Sequence, residues 1–103
     1  MKKEIVKVSE VITGTSTNAE GYPLFVVMDK IIENRNIIVL SLKGCSIFSS
    51  SFLNSSIGSL LEKYGVAEMK GRLLLTDFTP VIADNIKQYI KRFKQFNRSN
   101  FMK

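Results

Sequence analysis

The amino-acid sequence predicts a small α/β domain in which helices pack on a parallel or mixed sheet. Three β-branched or leucine-rich runs occur along the chain, and each is typical of a strand. Each run is followed by apolar residues at helical spacing, so the predicted element order is β-α-β-α-β-α. With 103 residues the chain is near the commonest size of a single domain. These observations favour one sheet whose successive strands are joined by helical crossovers.

The first strand is predicted over residues 5–12, where β-branched side chains recur and the first part alternates between apolar and polar. The first helix follows a polar turn and carries an apolar stripe at helical spacing between residues 24 and 32. Its start has two alternatives. Thr17 and Glu20 form a capping-box pattern, which places Pro23 inside the helix. Otherwise Pro23 is the first helical residue.

The second strand is predicted over residues 37–42, because a nearly continuous apolar run is typical of a strand covered on both faces. A turn at Lys43 and Gly44 leads to an amphipathic helix over residues 51–64, which Gly65 ends. Eight of the nineteen residues from 41 to 59 are serine. One of the three serines at 49–51 is expected to cap this helix, since its hydroxyl accepts from an otherwise unpaired backbone N–H.

The third strand is predicted over residues 72–76, and Thr79 with Pro80 begins the last helix. This helix is predicted over residues 80–96, because its apolar positions repeat every seven residues. They are Ile82, Ile86, Tyr89, Phe93 and Phe96. Residues 1–97 are therefore predicted to form one domain, and residues 98–103 a frayed basic tail.

The net charge of +6 is concentrated near the C-terminus. All nine acidic residues lie at or before Asp84, whereas the last seventeen residues carry six cations and no acid. The predicted basic face of the last helix comprises Lys87, Lys91, Arg92, Lys94 and Arg98. A row of cations without acidic neighbours is typical of a surface that binds nucleic acid. A nucleic-acid-binding module is therefore the alternative function.

Composition also excludes several kinds of chemistry. The chain has no histidine and one cysteine, Cys45, so it can hold neither a disulfide framework nor a triad with an imidazole base. The acidic residues are scattered, and no glycine-rich phosphate loop occurs. We therefore predict that the protein is not an enzyme and has no metal or cofactor. No apolar run is long enough to span a membrane, and a cytoplasmic location is the default expectation.

The segment Phe48-Ser49-Ser50-Ser51-Phe52, between a buried strand and an amphipathic helix, resembles a known pattern. It is similar to the STAS domain of anti-sigma-factor antagonists, and closer to the STAS-like family of unknown function. In those antagonists the loop reads Asp-Ser-Ser/Thr-Gly, and its first serine is phosphorylated by a kinase of the histidine-kinase-like ATPase fold. The resemblance implies Ser50 as the phosphoacceptor. Ser49 stands where the antagonists have Asp, and Phe52 where they have Gly.

The resemblance implies a small STAS-like sandwich that acts by regulatory protein–protein interaction. The expected partner is a regulatory protein such as a histidine-kinase-like ATPase, and homo-oligomerisation stays open. A phosphate on Ser50 adds roughly −1.5 to −2 charge at the positive end of a helix, so the fold should tolerate it while partner binding changes. Beside this phosphoacceptor, the binding loop is expected to comprise Gly44, Ser46, Phe48, Ser49, Ser51 and Asn54.

Overall fold

The computed structural model describes the backbone of residues 1–101 and the side chains of residues 1–95. Its elements are β1 (Lys3–Lys7), α1 (Val8–Val11), α2 (Asn18–Glu33), β2 (Ile37–Ser41), α3 (Ser50–Leu53), a π-helical segment (Asn54–Gly58), α4 (Ser59–Tyr64), α5 (Val66–Met69), β3 (Leu73–Thr76) and α6 (Pro80–Phe101). The predicted α/β class is confirmed. The extra short helices α1 and α5 were not predicted.

The three strands form a parallel sheet in the order β1-β2-β3. Crossovers of one hand between successive neighbouring strands place their helices on the same face of a sheet. On that face Val6, Ile38 and Leu40 are buried in the core, whereas Ile5 on the opposite face is 67% exposed. Val39, which pairs with Ile5, is only half-buried. The prediction that the second strand is covered on both faces was therefore wrong.

The first strand is shorter than predicted, because β1 ends at Lys7 opposite the last residue of β2. Beyond that point the chain has no strand to pair with. Val8, Val11 and Ile12 have spacings of three and four residues, and they turn toward the core as the helical turn α1. The N–H of Ile12 donates to the carbonyl of Val8 at 3.2 Å. A run that suits a strand thus continues as a helix once pairing stops.

Helix α2 begins with the capping box, so the alternative start at Pro23 was wrong. The N–H of Glu20 donates to the Thr17 hydroxyl at 3.1 Å, and the N–H of Thr17 donates to the Glu20 carboxylate at 3.0 Å. A further N–H, that of Ser16, donates to the same carboxylate at 3.1 Å. These bonds satisfy backbone donors that a start at Pro23 would leave unpaired, and Pro23 is accommodated within the helix.

The serine-rich helix is continuous from α3 to α4 but widens into a π-helical segment in its middle. The hydroxyls of Ser55 and Ser56 both donate to the carbonyl of Phe52, at 3.1 and 2.8 Å. Two glycines allow neighbouring helices to approach this segment closely. A Cβ on Gly21 of α2 would collide with the Ser55 hydroxyl, and a Cβ on Gly58 would collide with the Tyr89 hydroxyl of α6. The π-helical segment therefore lies between α2 and α6 and contacts both.

The last helix is longer than predicted, since α6 continues to Phe101. Its start is as expected, because the N–H of Ile82 donates to the Thr79 hydroxyl at 3.3 Å. The helix includes residues 98–101 of the predicted tail, and residues 102–103 lie outside the described part of the chain. The side chains of Phe96 and Arg98 are also outside it. Within the described residues, no helix combines the length and apolar character needed to cross a bilayer.

Candidate functional site

The predicted binding loop lies between β2 and α3, at the edge of the sheet where the parallel strands end. We call residues 44–51 the serine loop. Gly44 begins it with a φ of +76°, a conformation that favours glycine over residues with a side chain. The loop packs between the segment after α1 and helix α6. In open α/β sheets, ligands usually bind at the carboxyl ends of the strands.

Ser49 fixes one side of the serine loop. Its hydroxyl accepts from the N–H of Phe52 at 3.0 Å, which caps α3, and donates to the carbonyl of Ser16 at 2.7 Å. Its own N–H donates to the carbonyl of Thr15 at 2.9 Å. The predicted capping role therefore falls to Ser49. This hydroxyl is used by the fold and is not free for other chemistry.

Asn85 of α6 fixes the other side of the loop. Its side-chain oxygen accepts from the N–H of Phe48 at 2.8 Å, and its amide nitrogen donates to the carbonyl of Phe48 at 3.2 Å. The Phe48 ring is buried and stacks on Phe52 with ring centroids 4.9 Å apart. The sequence analysis missed Asn85. The available signal was an amide residue on the flank of the apolar stripe of the last helix, four positions before Tyr89.

Cys45 packs against the core, whereas most of the remaining loop side chains point outward. Ser46, Ser50 and Ser51 are exposed, and Ile47 is 56% exposed. Within the described residues, the hydroxyls of Ser50 and Ser51 make no hydrogen bond to the protein. The sequence analysis did not single out Ile47, because periodicity alone cannot tell whether an apolar loop residue is buried. The serine loop thus holds a rigid backbone while it presents an apolar side chain among hydroxyls.

Ser50 lies in a groove that α6 forms with the start of the serine-rich helix. The groove has a volume of about 390 Å³ and is lined by Ser50, Asn54, Tyr89, Arg92 and Phe93. The Tyr89 hydroxyl donates to the side-chain oxygen of Asn54 at 2.7 Å. Burial raises the pKa of Tyr89, and its hydroxyl therefore stays a donor at neutral pH. The structure thus brings Asn54 of the predicted loop and Arg92 of the predicted basic face together with Ser50.

The predicted basic face is therefore split between two sides of α6. Arg92 lines the groove beside Ser50, whereas Lys87 and Lys94 line cavities beside β3. Lys91 is exposed between them and lines neither. The fifth predicted member, Arg98, has its side chain outside the described residues. The prediction that the five cations share one face is thus wrong for Arg92.

Other hydrogen bonds join elements of the fold. The Ser41 hydroxyl donates to the Asp77 carboxylate at 2.6 Å, which joins the ends of β2 and β3. Asp29 accepts from the Tyr64 hydroxyl at 2.6 Å and from Lys63 at 2.9 Å, and these bonds lower the pKa of Asp29. Burial raises the pKa of Cys45, which keeps its thiol protonated. Across the described residues, no group of three or more His, Cys, Asp or Glu is arranged to hold a metal ion.

Comparison with known proteins identifies the family. A family described as a STAS-like domain of unknown function matches residues 26–83, which is more than half of the chain. The match includes β2, the serine loop and β3, whereas β1 and most of α6 lie outside it. No curated protein and no solved structure shows significant similarity to the chain. The chain therefore belongs to the STAS-like family.

Proposed function

We propose that this STAS-like domain is a non-enzymatic regulatory module that binds another protein through the serine loop and the first turn of α3. One observation carries the proposal. The loop is fixed on one side by Ser49 and on the other by Asn85, yet Ile47 stays 56% exposed among free hydroxyls. A rigid loop loses little conformational entropy when it binds, and an exposed apolar residue gives a partner area to bury.

Phosphorylation of Ser50 by a histidine-kinase-like ATPase is the proposed switch. In this step the Ser50 oxygen attacks the γ-phosphate of ATP, ADP leaves, and the hydroxyl proton passes to a base of the ATPase. Two features support Ser50 over its neighbours. Its hydroxyl is exposed and carries none of the hydrogen bonds that hold the loop, and the guanidinium of Arg92 lines the same groove. Because the reaction uses ATP, the proposed location is the cytoplasm.

A phosphate at Ser50 would change the surface more than the fold. It adds roughly −1.5 to −2 charge and strong acceptors, which Arg guanidinium groups bind well. Ser49 keeps its capping bond, since that bond does not involve Ser50. The groove beside Ser50 and Arg92 then changes from cationic to neutral or anionic. We therefore expect modification to weaken partner binding without unfolding the domain.

The test is a binding titration of Ser50→Asp against histidine-kinase-like ATPases from the same organism. We expect the variant to weaken binding by about tenfold or more, because it places a charge in the contact surface. The melting temperature should change by no more than about 2 °C. Gln88→Asp is the matched control, since it adds the same charge at an exposed position of α6 that does not line the groove. Equal loss of folding and binding in Ser50→Asp would show that the serine is structural only.

The second candidate is a nucleic-acid-binding module on α6. It is favoured by Lys87, Lys91 and Lys94, which are exposed and form no salt bridge with any described residue. Titration with a DNA or RNA duplex at two salt concentrations tests it. Binding that weakens steeply with salt and disappears when the three lysines become Glu supports this candidate. Absence of binding at low salt rules it out.

A further inference from the structure

The two edge strands of the sheet differ in how they face solvent. In β1 the residues at both ends are lysines, Lys3 and Lys7, and Glu4 adds a third charge. Such charges discourage a foreign strand from pairing with an edge. In contrast, β3 reads Leu-Leu-Leu-Thr and carries no charge. Among the described strands it pairs only with β2, so its second edge has no partner.

The backbone of β3 offers hydrogen-bonding groups along this edge. The carbonyls of Arg72 and Thr76 accept from N–H groups on or just after β2, at 2.8 and 3.0 Å. Since backbone groups alternate in direction along a strand, the N–H and C=O groups of Leu73 and Leu75 point away from β2. Within the described part of the chain, neither residue finds another partner for them. An added strand would satisfy all four groups.

An apolar groove runs along the same edge, between β3 and α6. It consists of two adjoining cavities of about 330 and 210 Å³, which share Leu73 and Ile90. All three leucines of β3 line the larger cavity although their side chains alternate in direction, so this cavity follows the edge of the strand and not one face. Phe78 also lines it and is 49% exposed. We call this cleft the strand groove.

The rim of the strand groove is positively charged. Lys87 lines the larger cavity, and Lys70 and Lys94 line the smaller one. Among the described residues that line the two cavities, none is acidic. A second copy of this chain would bring the same three lysines together across a two-fold axis, and like charges held close repel. An acidic segment would instead be attracted.

We propose that the strand groove binds an extended segment of a partner protein in which apolar and acidic residues alternate. The segment adds to β3 as a fourth strand and bonds to the free backbone groups of Leu73 and Leu75. Its apolar side chains lie against Leu75, Phe78 and Ile90, while its carboxylates face the lysines of the rim. Peptides bind exposed sheet edges in this way, with backbone bonds giving affinity and alternate side chains giving specificity. This surface is separate from the serine loop and does not depend on the function proposed for it.

The probe is a set of octapeptides that alternate Val, Ile or Phe with Glu, titrated into the isotope-labelled chain. We expect saturable binding, with the largest shifts at the backbone amides of Leu73 and Leu75. The double variant Lys87→Glu/Lys94→Glu should weaken binding about tenfold or more. Lys91→Glu is a control for a change of charge on the same helix outside the groove, and it should change binding by less than about twofold. Leu75→Pro removes one outward N–H and should also abolish binding.

Four results would overturn the proposal. The first is that no peptide of the set binds. The second is that Lys91→Glu weakens binding as much as the double variant, which would indicate a diffuse charge effect. A third is that the amide shifts map to the serine loop or to the open face of the sheet. The last is that the chain is a dimer in solution and becomes a monomer in Leu75→Pro, which would assign the edge to a second copy.

Discussion

The two sides of helix α6 face different kinds of surface. On one side Asn85 and Tyr89 form three hydrogen bonds, to Phe48 and Asn54, and these hold the serine loop and the helix that follows it. On the other side the described residues of α6 contribute apolar contacts and lysines to the strand groove, beside backbone groups of β3 that lack partners. The hydrogen-bond partners of Asn85 and Tyr89 on the first side all lie within this chain. On the second side, the proposed fourth strand would supply the missing partners.

Under the two proposals, one helix serves two contacts of different character. A loop held by directional bonds keeps its shape before and after binding, so its affinity depends on what it presents. An unpaired strand edge offers backbone hydrogen bonds to any extended segment, so the charges beside it decide which segment binds. Variants that affect one side of α6 and spare the other therefore test whether the two sides act independently.

The largest effect is expected for Asn85→Ala. This change leaves the N–H and C=O of Phe48 without partners in a half-buried site, so we expect it to lower the free energy of unfolding by about 2 kcal/mol. Gln88→Ala, on the exposed side of the same helix, should cost less than about 0.5 kcal/mol. Urea denaturation measures both. Equal costs would mean that Asn85 does not hold the loop, and the contrast between the two sides would fail.

A smaller effect is expected for Tyr89→Phe. The change removes only the hydroxyl that donates to Asn54, and the ring keeps its packing, so the cost should be about 1 kcal/mol. Tyr22→Phe is the control, because Tyr22 is 59% exposed and its hydroxyl makes no hydrogen bond within the described residues. Hydrogen exchange should increase at the start of the serine-rich helix in Tyr89→Phe alone. Faster exchange at β3 instead would show that the two sides of α6 are coupled.

The smallest effect is expected on the pH dependence of stability. The carboxylates with a lowered pKa, Glu20 and Asp29, lie on α2 and not on α6. The hydrogen bond from Tyr64 lowers the pKa of Asp29 below its ordinary value of 3.8. The stabilisation is therefore complete above about pH 4 and is lost as the pH falls through the lowered value. The fall in melting temperature between pH 7 and pH 3 should be smaller in Asp29→Asn than in the wild type. An identical fall in both proteins would remove this role for Asp29.

Much of the fold was predictable because local signals decide it. The capping pair Thr17 and Glu20, the stop at Gly65 and the start at Thr79 act within a few residues of one another, and all three occur in the structure. The residue at which β1 ends could not be predicted from its neighbours in the sequence. It depends on the length of β2, to which it pairs across more than thirty residues of sequence.

The site was predicted less completely, because it depends on tertiary contacts. The serine cluster indicated a capped helix start, but a choice among three adjacent serines needs the position of the Ser16 carbonyl. Ser55 and Ser56 bond to the carbonyl of Phe52 in a π-helical segment that no sequence pattern predicted. The role of Asn85 and the exposure of Ile47 likewise follow from how α6 packs against the loop.

Two exposed apolar residues test whether the serine loop is the protein-binding face. Ile47 in the loop is 56% exposed and Val81 at the start of α6 is 59% exposed, so an arginine at either position should leave the fold intact. The measurement is calorimetric titration of Ile47→Arg and Val81→Arg with a histidine-kinase-like ATPase that binds the wild type. We predict that Ile47→Arg abolishes binding and Val81→Arg preserves it. Equal binding by both variants, or the absence of any ATPase of that fold that binds the wild type, would contradict the account.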